Sequence, residues 1–160
     1  IARGETGEAR WILRQARERT PDTDGIALFQ LGRVAREGGF TQEAIRAWQA
    51  AGRADALQAW AIELRGRDQW DRAGSVLSAL AELRPSDPDV HFQLAQAARR
   101  GRLGVDGTIA ELERLAQASP SSPWPYVEQA RLYDETDRPD EAAAARALAA
   151  ERGAPVQAAR

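Results

Sequence analysis

The sequence predicts an all-α chain of antiparallel helix pairs stacked as a solenoid, and three observations carry that expectation. Apolar residues recur at helix spacing in segment after segment. Glycine and proline punctuate those segments at short intervals. Small residues return at a nearly constant period: Gly32, Ala61, Ala95 and Ala130 are separated by 29, 34 and 35 positions, which is the spacing of a repeated helical hairpin. Composition agrees, since a chain of 160 residues with 43% hydrophobic and 29% charged residues is globular in make-up. Aromatics are sparse and alanine supplies much of the apolar share, which favours helices meeting at close approach over a bulky central core.

The stretch from Ile26 to Ala51 shows the unit. Leu28, Leu31 and Ala35 fall on one face of a first helix, and Ala44, Ile45, Trp48 and Ala51 on one face of a second. Gly38 and Gly39 stop the first helix, because glycine tolerates the left-handed backbone that a helix exit requires. Before this hairpin, Glu5 to Arg19 reads as a single helix with Ala9, Ile12, Leu13 and Ala16 on a face, ended by Thr20-Pro21. After it, Leu57, Trp60, Ala61 and Leu64 form one stripe and Trp70, Ala73, Leu77 and Leu80 the next, closed by Pro85. Asp87-Pro88 opens a third hairpin with an N-cap and a proline at the first helical position. Its faces are His91, Leu94, Ala95 and Ala98, then Ile109, Leu112 and Leu115, with the glycine-rich GRLGVDG between and Ser119-Pro120 at the end. Ser122-Pro123 repeats the capping device ahead of Tyr126, Ala130 and Tyr133, and a last helix after Pro139 carries Ala142, Ala145 and Ala149. The expected helices are therefore 5–19, 24–37, 41–52, 54–66, 69–83, 88–101, 106–118, 123–136 and 138–152.

Composition also narrows function. The formal charge of -2 gives no general electrostatic reason to expect nucleic acid or an anionic membrane as partner. No apolar run approaches the length of a membrane span, and the first residues lack the apolar centre of a signal peptide. All 22 basic residues are arginine, and lysine, asparagine, methionine and cysteine are absent. That pattern most simply reports GC-rich coding, as in many bacteria. Without cysteine there is no thiolate chemistry, and the single His91 weighs against a structural zinc or a two-histidine metal site. The acidic run Asp134, Glu135, Asp137, Asp140, Glu141 lacks the central glycine and ligand spacing of an EF-hand loop. No catalytic triad pattern, phosphate-cradling loop or cofactor motif is present, so the chain reads as non-catalytic and cofactor-free.

On these residues the sequence resembles the tetratricopeptide repeat (TPR) family. Leu31-Gly32, Trp60-Ala61 and Leu94-Ala95 sit at that family's Leu-Gly pair, and Ala9, Ala44, Ala73 and Ala142 at its central alanine. Trp48, Leu77 and Leu112 take its late large apolar position, and Pro21, Pro85 and Pro120 its closing proline. The departures are a first full repeat five residues short, one extra residue near the third turn, and Gln129-Ala130 in place of the pair in the fourth. The resemblance implies a right-handed α-solenoid of about nine helices over 1–160: a half repeat at 1–22, full repeats at 23–53, 54–87, 88–122 and 123–155, and a tail at 156–160.

It also implies a protein–protein interaction scaffold or adaptor that binds an extended peptide or partner subunit on its concave face. The rival reading is an accessory module of a larger membrane-anchored assembly factor or polysaccharide-processing enzyme. The family's inward positions fall on Ile26, Phe29, Arg33 and Arg36; Asp55, Gln58, Ile62 and Arg65; Asp89, Phe92, Gln96 and Arg99; and Trp124, Val127, Arg131 and Asp134. The expected partner-binding set is Phe29, Arg33, Arg36, Gln58, Ile62, Arg65, Phe92, Gln96, Arg99, Trp124 and Arg131. Its arginines and aromatics favour a peptide with acidic and apolar groups. Arg33, Arg65 and Arg99 are expected to be replaceable together with the fold intact, and Trp124, between two prolines, to be more exposed than Trp48, Trp60 or Trp70. The carboxylate-clamp mode of the family is a poor match, because Phe29 and Arg33, or Gln58 and Ile62, stand where it uses lysine and asparagine. Trp11 is expected to face outward, toward an upstream segment, a partner or a second copy of the chain.

Overall fold

A computed structural model describes residues 3–155. Among them lie nine helices and no strand: α1 (Arg3–Arg19), α2 (Gly25–Glu37), α3 (Thr41–Ala50), α4 (Ala54–Gly66), α5 (Trp70–Leu83), α6 (Pro88–Arg100), α7 (Gly104–Ala118), α8 (Trp124–Glu135) and α9 (Pro139–Glu151). Each boundary falls within about two residues of the sequence reading, the usual uncertainty of a fraying helix end.

Local chemistry accounts for these ends. Asp24 accepts the backbone N–H of Ala27 and Asp87 those of Asp89 and Val90, capping α2 and α6. At the end of α2, Gly39 takes φ 79°. The N–H of Phe40 then reaches back to the carbonyl of Ala35 at 2.8 Å, and that of Gly39 to Arg36 at 3.0 Å, the paired closure of a Schellman turn. The same closure ends α3, α4, α8 and α9, with Gly52, Asp68, Asp137 and Gly153 at the left-handed position. Aspartate serves at two of these sites because its short polar side chain tolerates that conformation better than most.

Three hairpins, α2–α3, α4–α5 and α8–α9, are the most extensively packed pairs in the molecule. In the first, a side chain on Gly32 would place its Cβ 2.3 Å from the Trp48 indole, so only glycine admits that ring. Trp48 then donates its indole N–H to the carbonyl of Phe29 at 3.1 Å and meets Trp60 edge-on at 5.5 Å between ring centres. This joins the first hairpin to the second. Leu57, Leu77, Leu80, Val76 and Val90 continue the buried seam without any solvent exposure.

The third hairpin departs from the pattern. After α6 the backbone runs extended at Gly101 (ψ 178°), and Gly104, at φ 69°, starts α7 two residues earlier than expected. With no left-handed closure to fold it back, α7 packs sparsely on α6, whereas α6 packs extensively on α5. Gly74 of α5 faces Ala97 of α6 there, leaving only ordinary van der Waals room.

On α1, Ile12 is 52% exposed, and Leu13 alone of the run from Trp11 to Leu13 is buried. One packing expectation needs correction. Trp70, read as core, is half-buried, and the Arg100 and Arg65 guanidiniums lie 4.8 and 5.9 Å from its ring centre.

Candidate partner-binding groove

The first helices of the four hairpins, α2, α4, α6 and α8, carry the expected binding residues. α2, α4 and α6 make at most marginal backbone contact with one another, whereas α6 and α8 pack directly. Long arginine side chains bridge these steps. Arg36 pairs with Glu63 of α4. Arg65 donates to Gln93 at 2.9 Å and Gln96 at 3.2 Å on α6. Arg99 donates to Glu128 of α8 at 2.5 Å and to Glu135 at 2.9 Å. Arg36, Arg65 and Arg99 occupy equivalent positions in successive repeats, so the three form rungs linking one first helix to the next.

This corrects the expectation that these arginines face a ligand freely. Arg99 is only 15% exposed and Glu128 not at all. A buried carboxylate requires compensation, and Glu128 receives it from Arg99 and, at 2.6 Å, from Arg131 of its own helix. Removing Arg99 would strip a buried anion of one of its two partners, so the joint replacement of Arg33, Arg65 and Arg99 is expected to cost stability, against the neutral outcome read from the sequence. Val127, an expected inward position, is fully buried.

What remains open on the face is a different subset. Ile62 is 57% exposed and Ile26 also stands out in solvent. Arg33 is exposed, with Gln30 at 3.3 Å and Glu37 at 3.7 Å as its neighbours. Phe29 is half-buried against Trp48, and the Arg53 guanidinium sits 4.1 Å over its ring. Arg53 in turn grips Asp55, whose carboxyl is held down to about 2 chiefly by that hydrogen bond. Gln58 accepts from Arg84 at 3.0 Å. Phe92 and Trp124 pack together at 4.8 Å between ring centres. Trp124 is half-buried rather than prominent, and its indole N–H is buried with no hydrogen-bond partner. Asp89 and Asp134 are exposed, and Arg146 pairs with Asp134.

Two features of this face escaped sequence reasoning. Glu128 reads as a surface residue, yet its offsets from Arg99 and Arg131, one repeat back and three residues on, mark a carboxylate between two arginines. Arg100 lies outside the family's inward positions, but its guanidinium, like that of Arg65, comes within cation–π range of the Trp70 ring. His91, expected to pack rather than ligate, is half-buried with Nε2 at 2.8 Å from the carbonyl oxygen of Pro85. No group of three His, Cys, Asp or Glu side chains among the described residues is placed to hold a metal ion. No helix among them is long and apolar enough to cross a membrane.

No protein-family model matches the sequence, and no curated protein matches it. Solved structures do. A MamA mutant superposes with a TM-score of 0.53 at 19% sequence identity, covering 81% of this chain and 97% of that one. A second MamA structure gives a TM-score of 0.48 at 19% identity over 93% of this chain and 89% of its own. The likeness to the first is one of fold, and with the helix order and pairing above it makes this chain an α-solenoid of antiparallel helix pairs.

Proposed function

We propose that this chain is a non-catalytic scaffold of TPR type that holds an extended segment of a partner protein along its first helices. The observation that supports this best is the coexistence on one face of fixed rungs and exposed anchors. Arg36, Arg65 and Arg99 tie α2, α4, α6 and α8 together, while Ile26 and Arg33 of α2 and Ile62 of α4 stand exposed, Arg33 meeting only Gln30 and Glu37 of its own helix. Rigid spacing with projecting apolar and cationic groups suits an extended peptide bearing apolar and acidic side chains. The test is photocrosslinking in cells that express the native gene, with the crosslinker at Ile62 or, as control, at exposed Ala143 on α9. A partner captured from Ile62 and lost in an Arg33→Glu variant is expected. Capture from Ala143 alone would move the site to the other face.

A second contact is favoured by α1. Aligned on Ala9, Ala44, Ala73 and Ala142, Ile12 corresponds to Ala47, Val76 and Ala145, which are 0%, 0% and 4% exposed, whereas Ile12 is 52% exposed. Ile12 and the 61% exposed Trp11 therefore suit a further helix, from an upstream segment, a partner or a second copy. Light scattering on an Ile12→Glu variant tests the second-copy form of this contact: a fall in mass from the parent chain supports it, and identical masses exclude self-association through this face.

A further inference from the structure

The three rungs differ in a way that singles out the middle one. In the first, Arg36 meets a carboxylate, Glu63. In the third, Arg99 meets two, Glu128 and Glu135. Glu128 stands six residues into its repeat, counting from Pro123, and the residue six into the preceding repeat, counting from Pro88, is Gln93. The middle rung therefore places a neutral glutamine where the third places a buried carboxylate, and Arg65 bonds only to the amide oxygens of Gln93 and Gln96. Its Nε–H is buried without a partner.

The surrounding charges do not supply the missing anion. Glu63 is shared by Arg36 and by Arg67 at 3.1 Å. Asp68 accepts the Trp70 indole N–H at 3.2 Å, and Asp71 the backbone N–H of Arg102 at 2.9 Å. A second cation instead stands close: Arg100 lies over the Trp70 ring that Arg65 also approaches. Burial first, and the Arg100 charge second, pull the Arg65 guanidinium below its ordinary value, the signature of a cation lacking a counter-charge.

We propose that Arg65 and Arg100, with the Trp70 ring and the Gln93 and Gln96 amides, form a subsite of the groove that receives an acidic side chain of the bound partner polypeptide. The two glutamines orient Arg65 through their oxygens and keep their amide N–H groups for the incoming carboxylate. Its oxygens take the guanidinium donors that the glutamines leave open, and Arg100 supplies a second, mobile positive charge at the rim. The ring offers an apolar wall to the methylenes beside that carboxylate. Ligand binding would complete the middle rung as Glu128 completes the third, coupling occupancy to the α4–α6 spacing. This assignment rests on the reading of the first-helix face as the binding face.

The test uses the whole chain labelled with nitrogen-15, following the side-chain Nε–H signal of Arg65 during titration with the peptide acetyl-Leu-Glu-Leu-Glu-Leu-amide. The same peptide with glutamine for glutamate serves as control. The acidic peptide should move that signal and the Gln93 amide signals, and the control should not. Gln93→Glu, which supplies an internal carboxylate of nearly identical shape, should weaken the acidic peptide by about tenfold, the loss of one charge-assisted hydrogen bond. Arg100→Gln, at an exposed position, should weaken it by a smaller factor with an unchanged fold. Equal affinity in the Gln93→Glu variant would overturn the subsite. So would an unmoved Arg65 signal while other first-helix signals respond, an outcome that leaves the groove itself standing. Silence across the whole face would overturn both readings. A response to free glutamate as large as to the peptide would reassign the site to a small anion and overturn the polypeptide partner.

Discussion

The first and third hairpins solve the same problem by different means. In α2–α3, shape does the work: a left-handed turn at Gly39 brings the helices back to back, and Trp48 fills the notch left by Gly32. In α6–α7 the turn stays extended at Gly101, Leu112 stands where Trp48 does, and Ala95 where Gly32 does. The third hairpin is loose within itself. It is secured to its neighbours instead, through Gly74 against Ala97 on one side and through Arg99 to the buried Glu128 on the other. A repeat can thus be recognisable in sequence while its strongest contacts cross the repeat boundary.

Three experiments break or sharpen that comparison. The largest effect is expected from Arg99→Ala, which leaves Glu128 buried with Arg131 alone and should cost about 3 kcal/mol or more, the range for breaking a buried ion pair. Urea unfolding measures it, and a change within about 0.5 kcal/mol, as for an ordinary surface site, would show that charge does not secure the third hairpin. Next, Gly32→Ala drives a methyl group into the Trp48 ring and should cost about 1–3 kcal/mol by overpacking. In a Trp48→Leu background, which recreates the pairing of the third hairpin, the same change should cost less than about 1 kcal/mol, and a double-mutant cycle gives the coupling. Additivity would mean that shape is not what joins α2 to α3. The smallest effect concerns Asp55. Its carboxyl is held at about 2, below the ordinary 3.8, so the Arg53–Asp55 pair contributes above that ordinary value and its contribution is lost as pH falls through about 2. Because the pair is exposed, solvent screens it. An Asp55→Asn variant should lose slightly less stability than the parent chain between pH 5 and pH 2, as read by thermal melts, and an equal loss would show that exposed charge has no part in the first half.

The helices were legible because their causes are local. Gly39, Asp87 and Pro88 each act on backbone within a few residues, and the apolar stripes need only helix geometry to be read. Ser122, read as the cap of α8, does not serve: Pro123 holds the N-cap position without a side-chain hydrogen bond, and the Ser122 hydroxyl is buried with no partner. The left-handed turns at Asp68 and Asp137 were less visible, since aspartate marks such a turn less strongly than glycine. The candidate face was legible as a set of helix positions and not as a set of contacts. Arg36, Arg65 and Arg99 were placed on the correct helices, but whether each meets Glu63, Gln93 or Glu128 depends on residues about one repeat away and on the gap between helices. Glu128 shows the limit most plainly: a glutamate reads as surface until two arginines from different turns are found around it. Ile12 fails in the opposite sense, an apolar residue at a buried register that no helix among the described residues covers.

The close seat of α6 on α5 bears on how the chain comes apart. Because α6 packs more extensively on α5 than on α7, the units of opening are expected to cut across the repeats, with α4, α5 and α6 as one block and α8 and α9 as another. α7 lies between them, beside an open depression lined by α7, α8 and α9. Amide hydrogen exchange should then protect Leu77, Leu80 and Leu94 together and release the amides of α7 earlier.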